Sequence, residues 1–159
     1  MFTTYSFGRE KGEGKTSTTT LGTETLVDSN TKIISAQEYK STDNSKSTSR
    51  IVGLDYNKDR WDFDARLEKA EVVNQGVTTD RTAISLGMGY TEPDKLKVST
   101  KLETRFDRGE EDKDQFLFQN SLEYKLNPNW TLFNRLDYSH THNKSSGKTG
   151  AEFKEFTFG

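Results

Sequence analysis

The feature that most constrains this chain is a two-residue rhythm that runs from one end to the other. In residues 95–107, Leu96, Val98, Thr100, Leu102, Thr104 and Phe106 alternate with Lys97, Ser99, Lys101, Glu103, Arg105 and Asp107. Successive side chains of a strand point to opposite faces, so such a segment has one apolar face and one charged face. Residues 115–126 set Phe116, Phe118, Asn120, Leu122, Tyr124 and Leu126 against Gln115, Gln119, Ser121, Glu123 and Lys125, with Leu117 out of pattern. Residues 60–73 set Trp61, Phe63, Ala65 and Leu67 against Asp62, Asp64, Arg66 and Glu68. Residues 81–91 set Ile84, Leu86, Met88 and Tyr90 against Ala83, Ser85, Gly87 and Gly89. Helical spacing is hard to find, so the chain reads as all-β.

About ten strands follow, over 2–9, 16–28, 31–41, 48–57, 60–73, 81–91, 95–107, 115–126, 130–142 and 151–158. Short connections at 29–30, 57–59, 91–94 and 127–129 alternate with longer polar ones at 10–15, 42–47, 74–80, 108–114 and 143–150. In an up-and-down sheet, that places the short turns at one end and the long loops at the other. Folding 120–140 about Pro128 pairs Leu126 with Trp130, Tyr124 with Leu132, Phe118 with Tyr138, and Ser121 with Arg135. Lys101 is expected one diagonal step from Glu123. Tyr56, Trp61, Tyr90, Tyr124 and Trp130 sit beside short turns, while Phe7, Phe106, Phe116 and Tyr138 sit towards long loops. Two aromatic belts of this kind suit the two interfaces of a membrane, because an apolar ring with a polar tip fits a boundary.

Composition decides what the apolar face meets. Of 159 residues, 30% are hydrophobic, too few for an ordinary core, yet 11% are aromatic, which a disordered chain would lack. A chain of this length and uniform pattern is one domain, 1–159. Its net charge of −2, with no basic patch among aromatics, gives no expectation of a nucleic-acid partner. With no cysteine, there is no thiol catalysis, disulfide or thiolate metal site. No apolar run reaches the ~18 residues of a membrane helix, and Met1-Phe2-Thr3-Thr4 is no secretory signal. A spanning strand needs only ~9–11 residues in alternation, so a membrane is still open.

Chemistry is sparse. "GREKGEGKT", residues 8–16, ends like a phosphate loop, but Arg9 stands where the first glycine belongs and no helix follows. Gly147-Lys148-Thr149 fails in the same way. His140 and His142 share one side of a strand, but no third ligand is evident, so neither metal nor cofactor is expected. Asp62, Asp64, Glu103 and Asp137 offer paired carboxylates of the sort ten-stranded outer-membrane proteases use, but such enzymes carry much longer loops. Packing of a charged lumen explains them better, and the chain is expected not to be an enzyme.

Residues 81–143, "RTAISLGMGYTEPDKLKVSTKLETRFDRGEEDKDQFLFQNSLEYKLNPNWTLFNRLDYSHTHN", resemble the C-terminal barrel region of large bacterial outer-membrane proteins built from hairpins of the form strand, N-P-x-W, strand. The resemblance covers mainly residues 81–159 and implies a bacterial outer-membrane location and contact with the insertion machinery. In similar proteins the barrel is longer and ends on an aromatic; here Phe156-Thr157-Phe158-Gly159 closes the chain, which fits a trimmed or engineered version.

The expectation is therefore a transmembrane antiparallel β-barrel, a narrow pore or envelope anchor, surrounded by lipid or detergent. Its lumen would be lined by Asp62, Asp64, Arg66, Glu68, Lys97, Lys101, Glu103, Arg105, Glu123, Lys125, Arg135 and Asp137. Tyr56, Trp61, Tyr90, Phe106, Phe116, Tyr124, Trp130 and Tyr138 would mark the membrane interfaces. Asn120 and Asn134 on the lipid face argue against this, unless they bond to each other across the hairpin. The alternative turns the sheet inside out, giving a soluble ten-stranded barrel with an apolar cavity for a lipid-like ligand, which the mean hydropathy of −0.93 favours. A third is an adhesin-like structural sheet.

Overall fold

The computed structural model describes residues 1–10 and 14–159. Its strands are β1 (Phe2–Glu10), β2 (Gly14–Leu26), β3 (Thr31–Ser41), β4 (Ser45–Lys58), β5 (Trp61–Asn74), β6 (Val77–Glu92), β7 (Leu96–Arg108), β8 (Lys113–Asn127), β9 (Trp130–Asn143) and β10 (Lys148–Phe158). They form one ten-stranded sheet in chain order, each antiparallel to the next. This is the up-and-down, all-β architecture expected from the alternation. Among the described residues, β1 and β10 each pair on one side only, so the sheet is open between them.

The strands reach further into the polar segments than composition suggested. β4, β6, β8 and β10 begin at Ser45, Val77, Lys113 and Lys148, leaving connections at 42–44, 75–76, 109–112 and 144–147. Ladder hydrogen bonds come from the backbone and are indifferent to polar side chains, so Thr78 and Thr79 simply continue pairing opposite Val73 and Val72. At the tightest of these turns Gln75 and Gly76 have φ of 51° and 88°, the two positive values a type I′ hairpin turn requires. Residues 11–13 of the first long connection, and with them the centre of the phosphate-loop-like stretch, lie outside the described residues. At the opposite end, Asp28 folds the β2–β3 turn: its carboxylate accepts from the amides of Asn30 at 2.7 Å and Thr31 at 2.8 Å. The bond from Asn30 chiefly holds that carboxyl below its ordinary range.

Register follows the apolar stripe except at the turns. Tyr124 faces Leu132, Phe118 faces Tyr138 and Ser121 faces Arg135, as expected. Leu126 does not face Trp130. The ladder shifts between Lys125 and Asn127, and Trp130 pairs with Asn127 about a two-residue Pro128-Asn129 turn. An odd residue left over by so short a turn must bulge. Lys101 stands opposite Gln119, and Glu123 opposite Lys97, which corrects the expected Lys101 to Glu123 diagonal.

Residues buried within the described chain all lie on the polar face: Thr16, Ser49, Gly53, Ala70, Ala83, Gly89, Asp107 and Asp137. The only buried apolar side chains among them are Ala70 and Ala83. Large apolar side chains stand out on the other face, Leu86 at 51% and Trp61 at 43% exposure. The sheet thus curls around its charges and leaves most of its large apolar residues on the outer face, Phe133 and Leu117 being among the exceptions. Such a band in water would be a large adhesive patch, whereas in hydrocarbon it is the solvated surface.

Candidate functional site

The ladders carry all the residues expected to line a lumen onto one face. Asp62, Asp64, Arg66 and Glu68 of β5 align with Gly89, Gly87, Ser85 and Ala83 of β6, and these with Ser99, Lys101, Glu103 and Arg105 of β7. Lys97 aligns with Glu123, Lys125 lies one step beyond, and Arg135 and Asp137 of β9 align with Ser121 and Gln119. The small residues of β6 make room for their neighbours. A Cβ at Gly87 would collide with the Asp64 carboxylate, and one at Gly89 with Asp62. Arg66 likewise lies across Gly53, where it pairs with Asp55 and donates to the Leu54 carbonyl at 3.1 Å.

Neutralisation on this face is local. Glu103 receives Lys101 Nζ and Arg105 Nη2, each at 3.1 Å. Asp137 accepts from Arg135 Nε at 2.6 Å and from Gln119 Nε2 at 3.2 Å, so both its oxygens are used. Arg81 grips Asp107 with two bonds, Nε at 2.7 Å and Nη2 at 3.1 Å. Lys32 reaches Glu24 at 3.4 Å and Asp55 at 3.7 Å. Two-pronged arginine pairing of this kind suits half-buried charges, because each remaining lone pair has a donor. Sequence reasoning did not name Asp55 and Arg81, which share this charged face. Both obey the alternation once β4 and β6 take their observed register, which is the signal that would have found them.

The aromatics named for the interfaces all lie on the opposite face. Trp61 packs on Tyr90 with ring centroids 4.7 Å apart and stacks on Phe63 at 5.9 Å; Tyr56 tilts against Phe63 at 6.3 Å. Phe116 meets Tyr138 at 6.2 Å, and Arg108 lies over Phe106. Tyr124 and Trp130 lie towards the short-turn end. Asn120 does not bond to Asn134. It donates to Thr100 Oγ1 at 2.9 Å on the neighbouring strand, which meets the cost of an amide on the apolar face more locally. His140 and His142 are on this face too, opposite Phe116 and Asp114. Among the described residues no group of three or more metal-ligating side chains gathers. The inside-out alternative fails on this geometry, since the buried face carries Asp107 and Asp137 while Trp61 and Leu102 are exposed.

No family model matches the chain, and no curated protein does. Solved structures do. The chain is similar to the outer-membrane expressed OmpT of Vibrio cholerae, with a TM-score of 0.55 and 18% identity, covering 91% of this chain and 53% of that one. It is also similar to in-vitro folded OmpT of Vibrio cholerae in a trimer form, with a TM-score of 0.60 and 15% identity, covering 98% of this chain and 57% of that one. A further in-vitro folded OmpT structure gives 0.59 and 16% over the same shares. The chain thus spans a little over half the length of the proteins it matches. These matches correct one expectation. The chain was expected not to be an enzyme, but a fold shared with proteins named OmpT is no ground for excluding catalysis, and the exclusion is withdrawn. What the likeness establishes is the architecture, the antiparallel up-and-down sheet of an outer-membrane β-barrel.

Proposed function

We propose that the chain forms a narrow pore in the bacterial outer membrane, apolar face to lipid and charged face lining the passage. One observation carries the reading: every residue buried among those described is on the charged face, while no large apolar side chain among them is buried and many on the other face, Trp61 and Leu86 among them, are exposed. Lipid solvates the second arrangement and water the first. The lining is the set from Asp62 to Asp137 named above, joined by Asp55, Arg81 and Asp107. The belts are Tyr56, Trp61, Tyr90, Tyr124 and Trp130 at one interface, with Phe106, Phe116 and Tyr138 towards the other. Ten strands lie between about eight, which side chains fill, and about sixteen, which hold an open channel, so conduction is slow and set by mixed charge. Insertion machinery of the outer membrane would place it. The correspondence of residues 81–159 to the C-terminal part of larger outer-membrane proteins belongs to the same proposal.

Recording across a planar bilayer tests this. Discrete current steps, altered in ion preference by Lys101→Glu, are the expected result. Protein that folds into vesicles and passes no current would leave the envelope-anchor role in place of the pore.

A further inference from the structure

One ring breaks the alternation in β9. Phe133 shares the polar face with Arg135 and Asp137 and stands opposite Glu123. It borders a groove of about 360 Å³ whose other walls include Ser99, Lys101, Ser121, Arg135 and Asp137. Ser99, Ser121 and Arg135 are consecutive partners across β7, β8 and β9, so their side chains form one row.

The chemistry of this groove is one-sided. Arg135 spends only its Nε on Asp137, and its side chain is 53% exposed. Among the described residues, both terminal amino groups of that guanidinium and the hydroxyls of Ser99 and Ser121 lack a hydrogen-bond partner. Lys101 adds a second cation, half-exposed beyond its pair with Glu103. The one carboxylate on the wall, Asp137, already has both oxygens engaged by Gln119 and Arg135. It therefore holds the guanidinium through Nε and leaves the edge formed by the two terminal nitrogens unengaged. Free donors, a spare positive charge and no unengaged carboxylate among the lining residues favour an anion over a cation, and the planar free edge of an arginine matches the two oxygens of a carboxylate. Phe133 supplies an apolar wall that a ring can cover.

We propose that this groove binds a small aromatic monocarboxylate, its carboxylate on the free edge of Arg135 and its ring against Phe133. As a solute class the assignment rests on the pore reading; as a binding site it needs only the polar face of β7–β9.

Titration calorimetry with benzoate on the whole chain, folded in detergent micelles, tests it. Benzoate is expected to bind saturably, and neutral benzamide about tenfold or more weaker, the loss of a charge-assisted pair. Arg135→Gln is expected to weaken benzoate about tenfold, and Arg135→Lys nearly as much, because an ammonium lacks the two-pronged edge. Phe133→Leu leaves the Arg135 and Asp137 pair in place and is expected to weaken benzoate about threefold or more while acetate is unaffected. Circular dichroism confirms that each variant is folded. Benzoate held no better than benzamide, or held equally by Arg135→Lys and Phe133→Leu, overturns the proposal. Current steps without benzoate binding would sink this assignment alone; benzoate binding without current would sink the pore alone.

Discussion

At the scale of single residues, the turns hold the most specific chemistry. Asp28 is ionised in the fold because amide donors of Asn30 and Thr31 favour the charged form, so its carboxyl lies below the usual range. A lowered folded value means that the stabilisation is present above the unfolded value of about 3.9 and is lost as pH falls through the folded one. Asp28→Ala is therefore expected to lower the urea midpoint near neutral pH, with the gap to the parent protein narrowing as the pH is taken below the ordinary carboxyl value of about 3.9. At the other end, Gly76 has φ of 88°, where a Cβ is strained although nothing crowds it. Gly76→Ala should cost about 1 kcal/mol by the same urea measurement, whereas Gly8→Ala, in open space at ordinary φ, should not.

Within an element, face decides the consequence of a substitution more than residue type does. Leu86 and Leu117 are both leucines near mid-strand, but the ladders put Leu86 opposite Leu102 and Ala65, and Leu117 opposite Glu103 and Ser139. Leu86→Arg on a lipid-facing site near the midplane is expected to cost about 2–4 kcal/mol in folding into vesicles. Leu117→Gln is expected to change it by less than about 0.5 kcal/mol. Equal costs at the two positions would mean that the faces have been assigned the wrong way round. Strand lengths carry a parallel lesson. Thr78, Thr79 and their neighbours look like loop in the sequence because they are polar, yet pairing with β5 keeps them extended. Polarity reports solvent and not backbone conformation, so the ends of strands that rise into water were not legible.

For the whole molecule, the open edges of β1 and β10 matter most. An even number of strands leaves those two antiparallel, as closure requires, and an edge left in hydrocarbon would strand backbone donors and acceptors at several kcal/mol each. A membrane placement predicts where the two tryptophans sit. Lipids brominated near the headgroup should quench Trp61 and Trp130 more strongly than lipids brominated near the chain ends, read as fluorescence loss in vesicles; the reverse order would refute the belts. By itself the sequence determined the sheet: strict alternation specifies strands, and apolar partners across Tyr124–Leu132 and Phe118–Tyr138 specify their pairing, because a slip by one residue would turn every side chain to the wrong face. Only the tertiary structure decided which face is enclosed, since alternation is the same whichever way a sheet curls. It alone brought Phe133, Ser99, Ser121 and Arg135, from three different strands, to the rim of one groove.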